Sequence, residues 1–379
     1  MKNIFMLVGE RSADVHAAEV IKQLKLKDTS STIWGIGGPL MQEQGFKTIF
    51  PFSKFSIIGF AEVIGHLGFI MKVFRTLKTE FKARKPDLAI LVDYPGMNIR
   101  VAKICHTFGI SVLYYISPQV WAWKKKRIHK IAEYSDKIAV IFPFEKDLYE
   151  EINADVEYVG HPISEEITIS QTREEFSEQY SLDPKKEWIG FIPGSRNVEI
   201  KRILPEIVTT IMNLKNMYNE SYEFLISQAD SVSDELFNKT ISSVKNHVTI
   251  IHDIHPLMKF SKIVVCKSGT STLETGFLGT PMVVVYKTSH LSYLIARAFI
   301  KIKMIALANI VIGKKVVPEL IQQAASAENI TKAVRQFLED AHYYEKTKNE
   351  LCIIKEKLGK FNTSEKVASI ALSMIHETK

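Results

Sequence analysis

Residues 88–98, LAILVDYPGMN, combine a continuous apolar run with a polar turn that begins at Asp93. An uncharged run followed by Pro and Gly is typical of a buried parallel strand that ends at a loop. Similar runs occur in the first half of the chain at 4–9, 32–38, 111–116 and 137–142. Amphipathic stretches separate these runs, so the pattern predicts a parallel sheet with crossover helices.

The same alternation starts again after a polar, acidic segment that ends near Pro184. Its apolar runs lie at 187–194, 222–227, 248–253, 262–269 and 281–287. After about residue 325 the pattern is one of consecutive helices. We therefore expect an α/β protein with two Rossmann-like, doubly wound domains that face each other across a cleft, and with C-terminal helices packing back. The expected boundaries are 1–165, 166–345 and 346–379, the last segment returning to the N-terminal domain or to a partner subunit.

Composition sets the outer limits of the interpretation. The chain has 379 residues, 46% of them hydrophobic and 24% charged, which is enough material for two cores. Its three cysteines are far apart, which argues against a disulfide framework and against a zinc knuckle. The first apolar stretch is too short for a secretory signal, so we expect a cytoplasmic protein.

The net charge of +7 indicates an anionic partner. The basic residues form no recognisable nucleic-acid module, so we expect no nucleic acid and favour an anionic lipid surface. Residues 57–74 are largely apolar, and a basic segment follows them. Such a segment suits the surface of an anionic membrane, with Ile70 and Phe74 facing the lipid. The alternative is that both side chains pack into the core.

Two segments of the second half suit a nucleotide diphosphate. In PGSR, Gly194 lets the backbone come close to a diphosphate, and Ser195 and the start of the following helix offer N–H groups. Arg196 adds a guanidinium group that can donate two hydrogen bonds to the phosphate oxygens. The alternative is a plain turn with a surface arginine. In SGTSTLE, small donors precede a carboxylate that is suited to the two hydroxyls of a ribose, and a capping box is the alternative. These residues are Ser268, Gly269, Thr270 and Glu274.

Asp93 is the candidate general base of the first half. It ends a strongly apolar strand, where loss of solvent raises the pKa of a carboxyl group. Capping of the following helix is an equally good explanation. His161 is more typical of a hydrogen-bonded hinge than of a catalyst. The chain has neither GxGxxG after the first strand nor GxxxxGK[ST], which disfavours a dehydrogenase and P-loop phosphoryl transfer.

Taken in order, nine motifs of the chain resemble those of the lipid-A-disaccharide synthase family from about residue 3 to residue 375. They are GERSAD (9–14), DYPGMN (93–98), SPQVWAWKKKR (117–127), FPFE (142–145), VGHP (159–162), PGSRNVE (193–199), SGTSTLE (268–274), PMVVVYK (281–287) and LANIVIGKKVVPELIQ (307–322). The segments with VWAW and VVPEL are the most distinctive. Ala13 and Ala308 depart mildly from the family pattern, which has Gly and Pro there. If Ala13 must adopt a positive φ, its methyl group would cost about 1 kcal/mol.

The resemblance implies a GT-B glycosyltransferase that joins UDP-2,3-diacylglucosamine to 2,3-diacylglucosamine 1-phosphate without a metal ion or other cofactor. It implies Asp93 as the base. If Asp93 does not fill this role, Glu10, Asp14 and His161 are the next candidates. For UDP it implies Arg196, Glu274, the other PGSR and SGTSTLE residues named above, and Asn309. The acceptor and membrane side would include Ser12, Asn98, Trp121, Ile70 and Phe74. The implied location is the cytoplasmic face of the inner membrane, with a possible homodimer.

Two other classes share these features. A UDP-sugar 2-epimerase has the same architecture and a nucleotide cleft, but it needs no apolar acceptor surface and no VWAW segment. A catalytically silent relative that only binds lipid is compatible with the departure at Ala13. Product analysis distinguishes the first, and turnover with purified lipid substrates excludes the second.

Overall fold

The protein is described from a computed structural model that covers residues 2–52, 67–118, 127–219, 221–289, 293, 304–359 and 362–377. The chain forms two compact units. The first unit contains residues 1–165 together with the C-terminal residues 360–379, and the second contains residues 166–359.

The first unit is built on a seven-stranded parallel sheet with strand order β3-β2-β1-β4-β5-β6-β7. The strands are β1 (Asn3–Leu7), β2 (Thr32–Gly37), β3 (Lys47–Pro51), β4 (Leu88–Val92), β5 (Ser111–Tyr115), β6 (Lys137–Val140) and β7 (Val156–Tyr158). The helices are α1 (Arg11–Lys27), α2 (Pro39–Glu43), α3 (Leu67–Arg84), α4 (Pro95–Thr107), α5 (Arg127–Glu133), α6 (Pro143–Glu150), α7 (Ile163–Glu166), which ends at the boundary, and the C-terminal α16 (Thr363–Glu377). Central β4 is buried on both faces, as its apolar sequence predicts.

The second unit has a six-stranded parallel sheet with strand order β10-β9-β8-β11-β12-β13. Its strands are β8 (Glu187–Ile192), β9 (Tyr222–Ser227), β10 (Val248–Ile251), β11 (Ile263–Lys267), β12 (Met282–Tyr286) and β13 (Glu319–Ile321). Its helices are α8 (Arg173–Tyr180), α9 (Asn197–Tyr218), α10 (Asp234–Ile241), α11 (Ile254–Phe260), α12 (Thr270–Phe277), α13 (Leu307–Ile312), α14 (Ala327–Glu339) and α15 (Ala341–Leu358), with short 3-10 helices at Lys245–His247 and Gln322–Ala324.

The predicted α/β class with two doubly wound sheets is confirmed. All ten apolar runs form strands, and each is followed by a turn where the sequence places one. The sequence does not predict β3, β7 and β13, which lie at sheet edges and are half-buried, so they lack a continuous apolar run. In the described residues no helix is both long and apolar enough to cross a bilayer.

The C-terminal helices divide between the two units. Helix α15 packs on α12 and α13, so the second unit extends beyond residue 345 to Gly359. Helix α16 packs on α1 in the first unit. There Lys27 pairs with Glu365 at 3.0 Å, and the Ser364 N–H donates to Glu165 at 2.9 Å.

Candidate active site

The turn after β4 has an unusual backbone. Asp93 and Tyr94 are consecutive non-glycine residues in the left-handed region, with φ of 47° and 42°. Each such residue costs roughly 1–2 kcal/mol, so its surroundings must hold it in place. The Asp93 N–H donates to the Tyr115 carbonyl at 2.9 Å. Its own carbonyl accepts from Asn98 Nδ2 at 2.7 Å and from the Tyr114 hydroxyl at 2.8 Å.

Asn98 supports this turn from beneath. Its side chain is fully buried, and Nδ2 also donates to the Val92 carbonyl at 3.0 Å. Its Oδ1 is buried without a hydrogen-bond partner among the described residues. Burying a hydrogen-bond acceptor without a partner costs free energy. The two hydrogen bonds from Nδ2, which hold the turn, must offset this cost. Asn98 therefore shapes the backbone that carries Asp93.

The carboxyl group of Asp93 is electrostatically perturbed. Burial, and after it the nearby negative charge of Glu10, raises the pKa of Asp93 from 3.8 to about 6. Asp93 does not cap α4, because Tyr94 is the N-cap residue and makes no side-chain capping bond. The structure thus removes the alternative explanation that the sequence leaves open for Asp93.

The start of α1 lies beside this turn. A Cβ atom at Gly9 would lie 2.1 Å from Cγ of Tyr94, so only glycine permits the Tyr94 ring to pack there. Glu10 is exposed at the N-cap position of α1 and accepts a hydrogen bond from the exposed Ser12 hydroxyl at 3.1 Å. Ala13 lies inside α1 with helical geometry, so its departure from the family pattern brings no positive φ.

Asp14 is buried on the inner side of α1. Its Oδ1 accepts from the N–H groups of Gly38 at 2.9 Å and Met41 at 3.3 Å, and its Oδ2 accepts from Leu40 at 3.2 Å. Both carboxylate oxygens therefore hold the first turn of α2. This arrangement suits a residue that positions a loop better than one that transfers protons.

His161 is also a structural group in this unit. It is buried, and its Nδ1 accepts from the Ile163 N–H at 3.1 Å. Burial lowers the pKa of His161 to about 3, so the ring is neutral at physiological pH. These features fit a hydrogen-bonded structural residue, and its role as a hinge stays a prediction.

In the second unit the PGSR segment links β8 to α9. Gly194 has φ of 123°, and a Cβ atom there would lie 2.4 Å from an oxygen of Glu199, so glycine is required. Arg196 is exposed at the N-cap position and makes no side-chain capping bond. The Ser195 N–H donates to Glu199 at 3.0 Å. The segment is thus held by the first turn of its own helix, with Arg196 directed away from the core.

The SGTSTLE segment links β11 to α12. Gly269 is the N-cap residue without a side-chain capping bond, so no capping box forms. The Ser268 hydroxyl donates to the Ile305 carbonyl at 2.9 Å, whereas Thr270 is exposed. Glu274 is 19% exposed and lies 4.0 Å from Nε2 of His255. The segment therefore presents free backbone N–H groups and a nearby carboxylate, both suited to a sugar nucleotide.

Comparison with known proteins identifies the family. The family model described as lipid-A-disaccharide synthetase matches residues 4–373. A lipid-A-disaccharide synthase of Geobacter sulfurreducens is 38% identical, covering 98% of this chain and 97% of its own length. One from Nitrosococcus oceani is 36% identical, with 98% and 96% covered. The chain belongs to the lipid-A-disaccharide synthase family. It is accordingly a glycosyltransferase of lipid A biosynthesis.

Solved structures show the same fold at low sequence identity. The UDP-GlcNAc 2-epimerase of Neisseria meningitidis bound to UDP-GlcNAc gives a TM-score of 0.66 at 16% identity, covering 98% of this chain and 100% of that one. The glycotransferase of kitacinnamycin gives 0.65 at 12% identity, with 98% of each chain covered. This lipid-A-disaccharide synthase family member therefore has the GT-B architecture that its sequence predicts.

Asn309 of this family member is fully buried, and its amide makes four hydrogen bonds. Its Oδ1 accepts from Val316 and Val317, and its Nδ2 donates to the Val317 carbonyl and to Glu319, all at 2.8–3.0 Å. The amide has no capacity left for a ligand, so Asn309 holds the loop at 316–319. Ala308 is buried beside it in α13.

The predicted lipid side is described only in part. Trp121 and residues 53–66 lie outside the described residues. Ile70 and Phe74 are half-buried on α3, and Phe74 also packs against the core. A surface groove of about 610 Å³ lies between α3 and α4. It is lined by Phe74, Lys78, Arg100, Lys103, Ile104, Thr107 and Phe108. Aromatic and aliphatic side chains thus lie next to three cations.

Some contacts of the site could not be predicted from the sequence. Tyr114 looks like one more apolar strand residue, although its hydroxyl holds the Asp93 turn. Lys267 ends β11 and pairs with Glu199, which only the folded chain brings together. Within the described ranges, no cluster of three or more His, Cys, Asp or Glu side chains is suited to a metal ion.

Proposed function

We propose that the protein transfers 2,3-diacylglucosamine from UDP-2,3-diacylglucosamine to the 6-hydroxyl of 2,3-diacylglucosamine 1-phosphate. The anomeric configuration inverts, a β-1′,6-linked disaccharide 1-phosphate forms, and UDP leaves. The observation that carries this proposal is Asp93, a carboxylate with a pKa near 6 on a strained turn at the carboxyl end of β4. Membership of the lipid-A-disaccharide synthase family supports the choice of substrates.

Asp93 acts as the general base. It accepts the proton of the acceptor hydroxyl as the oxygen attacks the anomeric carbon and the bond to UDP breaks. A carboxylate whose pKa is about 6 is a stronger base than an ordinary one and is still ionised at neutral pH. The hydrogen bonds from Asn98 and Tyr114 fix the backbone carbonyl of Asp93, which limits the positions that its carboxylate can take.

The second unit binds UDP. Arg196 and the backbone N–H groups near Gly194, Ser195, Gly269 and Thr270 stabilise the diphosphate, whose negative charge grows as it leaves. The carboxylate of Glu274 accepts hydrogen bonds from the two ribose hydroxyls. The exposure of Arg196 and Thr270 and the absence of capping bonds at both helix starts support this assignment.

Several of the predicted site residues do not contact a substrate but position other residues of the site. Asn98 positions Asp93, Asp14 positions the loop before α2, and Asn309 positions the loop at 316–319. Glu10 raises the pKa of Asp93 by its charge, and Ser12 donates to Glu10. On the acceptor side, the groove between α3 and α4 contacts the anionic surface of the inner membrane on its cytoplasmic face.

The replacement Asp93→Asn tests the proposal, because Asn keeps the shape of the side chain and tolerates the left-handed backbone. Turnover with both purified lipid substrates should fall by at least about a hundredfold, the usual contribution of a general base. UDP affinity, measured by calorimetry, should stay unchanged. Near-normal turnover in this variant would assign the proton transfer to another residue.

A UDP-sugar 2-epimerase is the remaining alternative with the same fold. The epimerase structure named above is only 16% identical and establishes only the architecture. Incubation of the protein with UDP-N-acetylglucosamine alone separates the two functions. We expect no epimer to form without an acceptor, and formation of one would favour the alternative.

A further inference from the structure

Lys267 is the last residue of β11 and forms an ion pair that the proposed reaction has not used. Its Nζ lies 2.8 Å from Oε1 of Glu199 in the first turn of α9. The two side chains are only 21% and 14% exposed. Solvent screens such a pair less than one on the open surface, so its charges act strongly on their surroundings.

The carboxylate of Glu199 connects this pair to the PGSR segment. Its Oε2 accepts the Ser195 N–H at 3.0 Å and lies over Gly194. Lys267 therefore lies beside PGSR, one of the two segments proposed to bind the diphosphate. Its partner Glu199 contacts the backbone of the same segment.

The ammonium group also reaches the second of these segments. A Cβ atom built at Gly269 would lie 3.5 Å from Lys267 Nζ, and beyond its immediate chain neighbours it meets no other side chain of the described residues within 4 Å. Gly269 caps α12, whose free N–H groups and dipole attract anions. An open space thus lies over the start of α12, with a positive charge at its edge.

We propose that Lys267 binds the diphosphate of the nucleotide donor and exchanges Glu199 for phosphate oxygens when the donor arrives. This inference rests on the proposed binding of UDP to the second unit. Without nucleotide, Glu199 neutralises and orients the ammonium group. With nucleotide, Lys267 and the two helix starts share the diphosphate, and the ammonium stabilises the charge that grows on it as the sugar leaves.

The test compares the binding of UDP and of uridine by calorimetry at two salt concentrations. Lys267→Met should raise the Kd of UDP about tenfold or more, as expected for loss of a charge-assisted contact. The Kd of uridine, which has no phosphate, should stay unchanged, and the salt dependence of UDP binding should weaken. Lys267→Arg should restore most of the UDP affinity.

The chain provides a matched control at the other end of the same strand. Lys262 directly precedes β11 and pairs with Glu187, the first residue of β8, at 2.9 Å. Lys262→Met removes the same charge and a similar ion pair from the same unit. It should leave the Kd of UDP unchanged.

A second variant separates ligand binding from a purely structural role of the pair. Glu199→Gln keeps an oxygen that can accept the Ser195 N–H but removes the negative charge next to the diphosphate. If Lys267 binds phosphate, this variant should bind UDP at least as tightly as the unmodified protein. If the pair only fastens the PGSR segment, Glu199→Gln should weaken UDP binding as much as Lys267→Met does.

Three results would overturn the inference. The first is unchanged UDP affinity in Lys267→Met. The second is an equal loss of UDP and uridine affinity in Lys267→Met, accompanied by weaker UDP binding in Glu199→Gln. The third is the absence of UDP binding in the unmodified protein, which would refute the proposed nucleotide site as well. UDP binding that is insensitive to Lys267 would refute the role of this residue alone.

Discussion

The proposed role of Asp93 as general base predicts a characteristic dependence of the reaction on pH. A general base works only when it is deprotonated, so kcat/KM should fall about tenfold per pH unit below a pKa of about 6. An ordinary Asp would place this fall near pH 4. A pH profile of kcat/KM measures the midpoint directly.

Glu10→Gln is the control for this profile. Burial is the main cause of the raised pKa of Asp93, and the charge of Glu10 is the next. Removing that charge should move the midpoint to lower pH without abolishing activity. A midpoint that does not move, or one that already lies near pH 4 in the unmodified protein, would contradict the electrostatic account.

Asp93 also lowers the stability of the folded protein. Its folded pKa of about 6 exceeds the ordinary value of 3.8, so the native state binds the proton more tightly than the unfolded state does between these values. Stability is therefore lost as pH rises through this range, and the loss is complete above about pH 6. At pH 7.5 Asp93→Asn should raise the free energy of unfolding, by up to about 3 kcal/mol.

The gain from Asp93→Asn should shrink as the pH falls from 6 to 4, because the native carboxyl group becomes neutral there. Thermal unfolding at pH 7.5 and pH 4.5 measures both values. A variant that loses activity but is also less stable than the unmodified protein at pH 7.5 would show that the carboxylate supports the fold.

At the scale of elements, the groove between α3 and α4 makes the proposed membrane contact testable. Phe108 lines the groove and is 39% exposed, and Met71 lies on α3 three residues before the groove residue Phe74 and is 51% exposed. Both side chains are therefore accessible to a lipid surface. Replacing both with Ser should weaken binding to anionic vesicles, measured by sedimentation, about thirtyfold, because each apolar side chain contributes about 1 kcal/mol on transfer from water. The melting temperature should change little.

The exposed Met217 of α9 is the control for this experiment. It is 53% exposed in the second unit, and Met217→Ser should leave vesicle binding unchanged. Phe74→Ser should in contrast lower the melting temperature, because Phe74 packs against the core of the first unit. Equal vesicle binding by the unmodified protein and the Met71 and Phe108 double variant would refute the contact at this groove.

Over the whole molecule, the sequence predicts what depends on short stretches of chain. Nine of the ten predicted strands are recognisable because they lie inside their sheets, where parallel strands need continuous apolar runs. The tenth, β10, is a half-buried edge strand that still has an apolar run. The edge strands β3, β7 and β13 are half-buried and lack such a run, so they are not recognisable. The start of α9 at Asn197, directly after PGSR, follows from the helical pattern that begins there.

Roles that depend on distant contacts could not be predicted in this way. Asp14 and Asn309 resemble ligand-binding residues in their motifs, but the fold directs their polar atoms to backbone groups at 38–41 and 316–317. The left-handed turn at Asp93 contains no glycine at its strained positions, so no local pattern announces it. The raised pKa of Asp93 arises from the packing around that turn.

Product analysis tests the central claim most directly. The protein should be incubated with UDP-2,3-diacylglucosamine and 2,3-diacylglucosamine 1-phosphate, and the products identified by mass spectrometry and by the coupling constant of the new anomeric proton. We predict one UDP released for each disaccharide 1-phosphate formed, with a β linkage to the 6-hydroxyl. An α linkage, release of UDP without disaccharide, or no reaction with these two lipids would contradict the account.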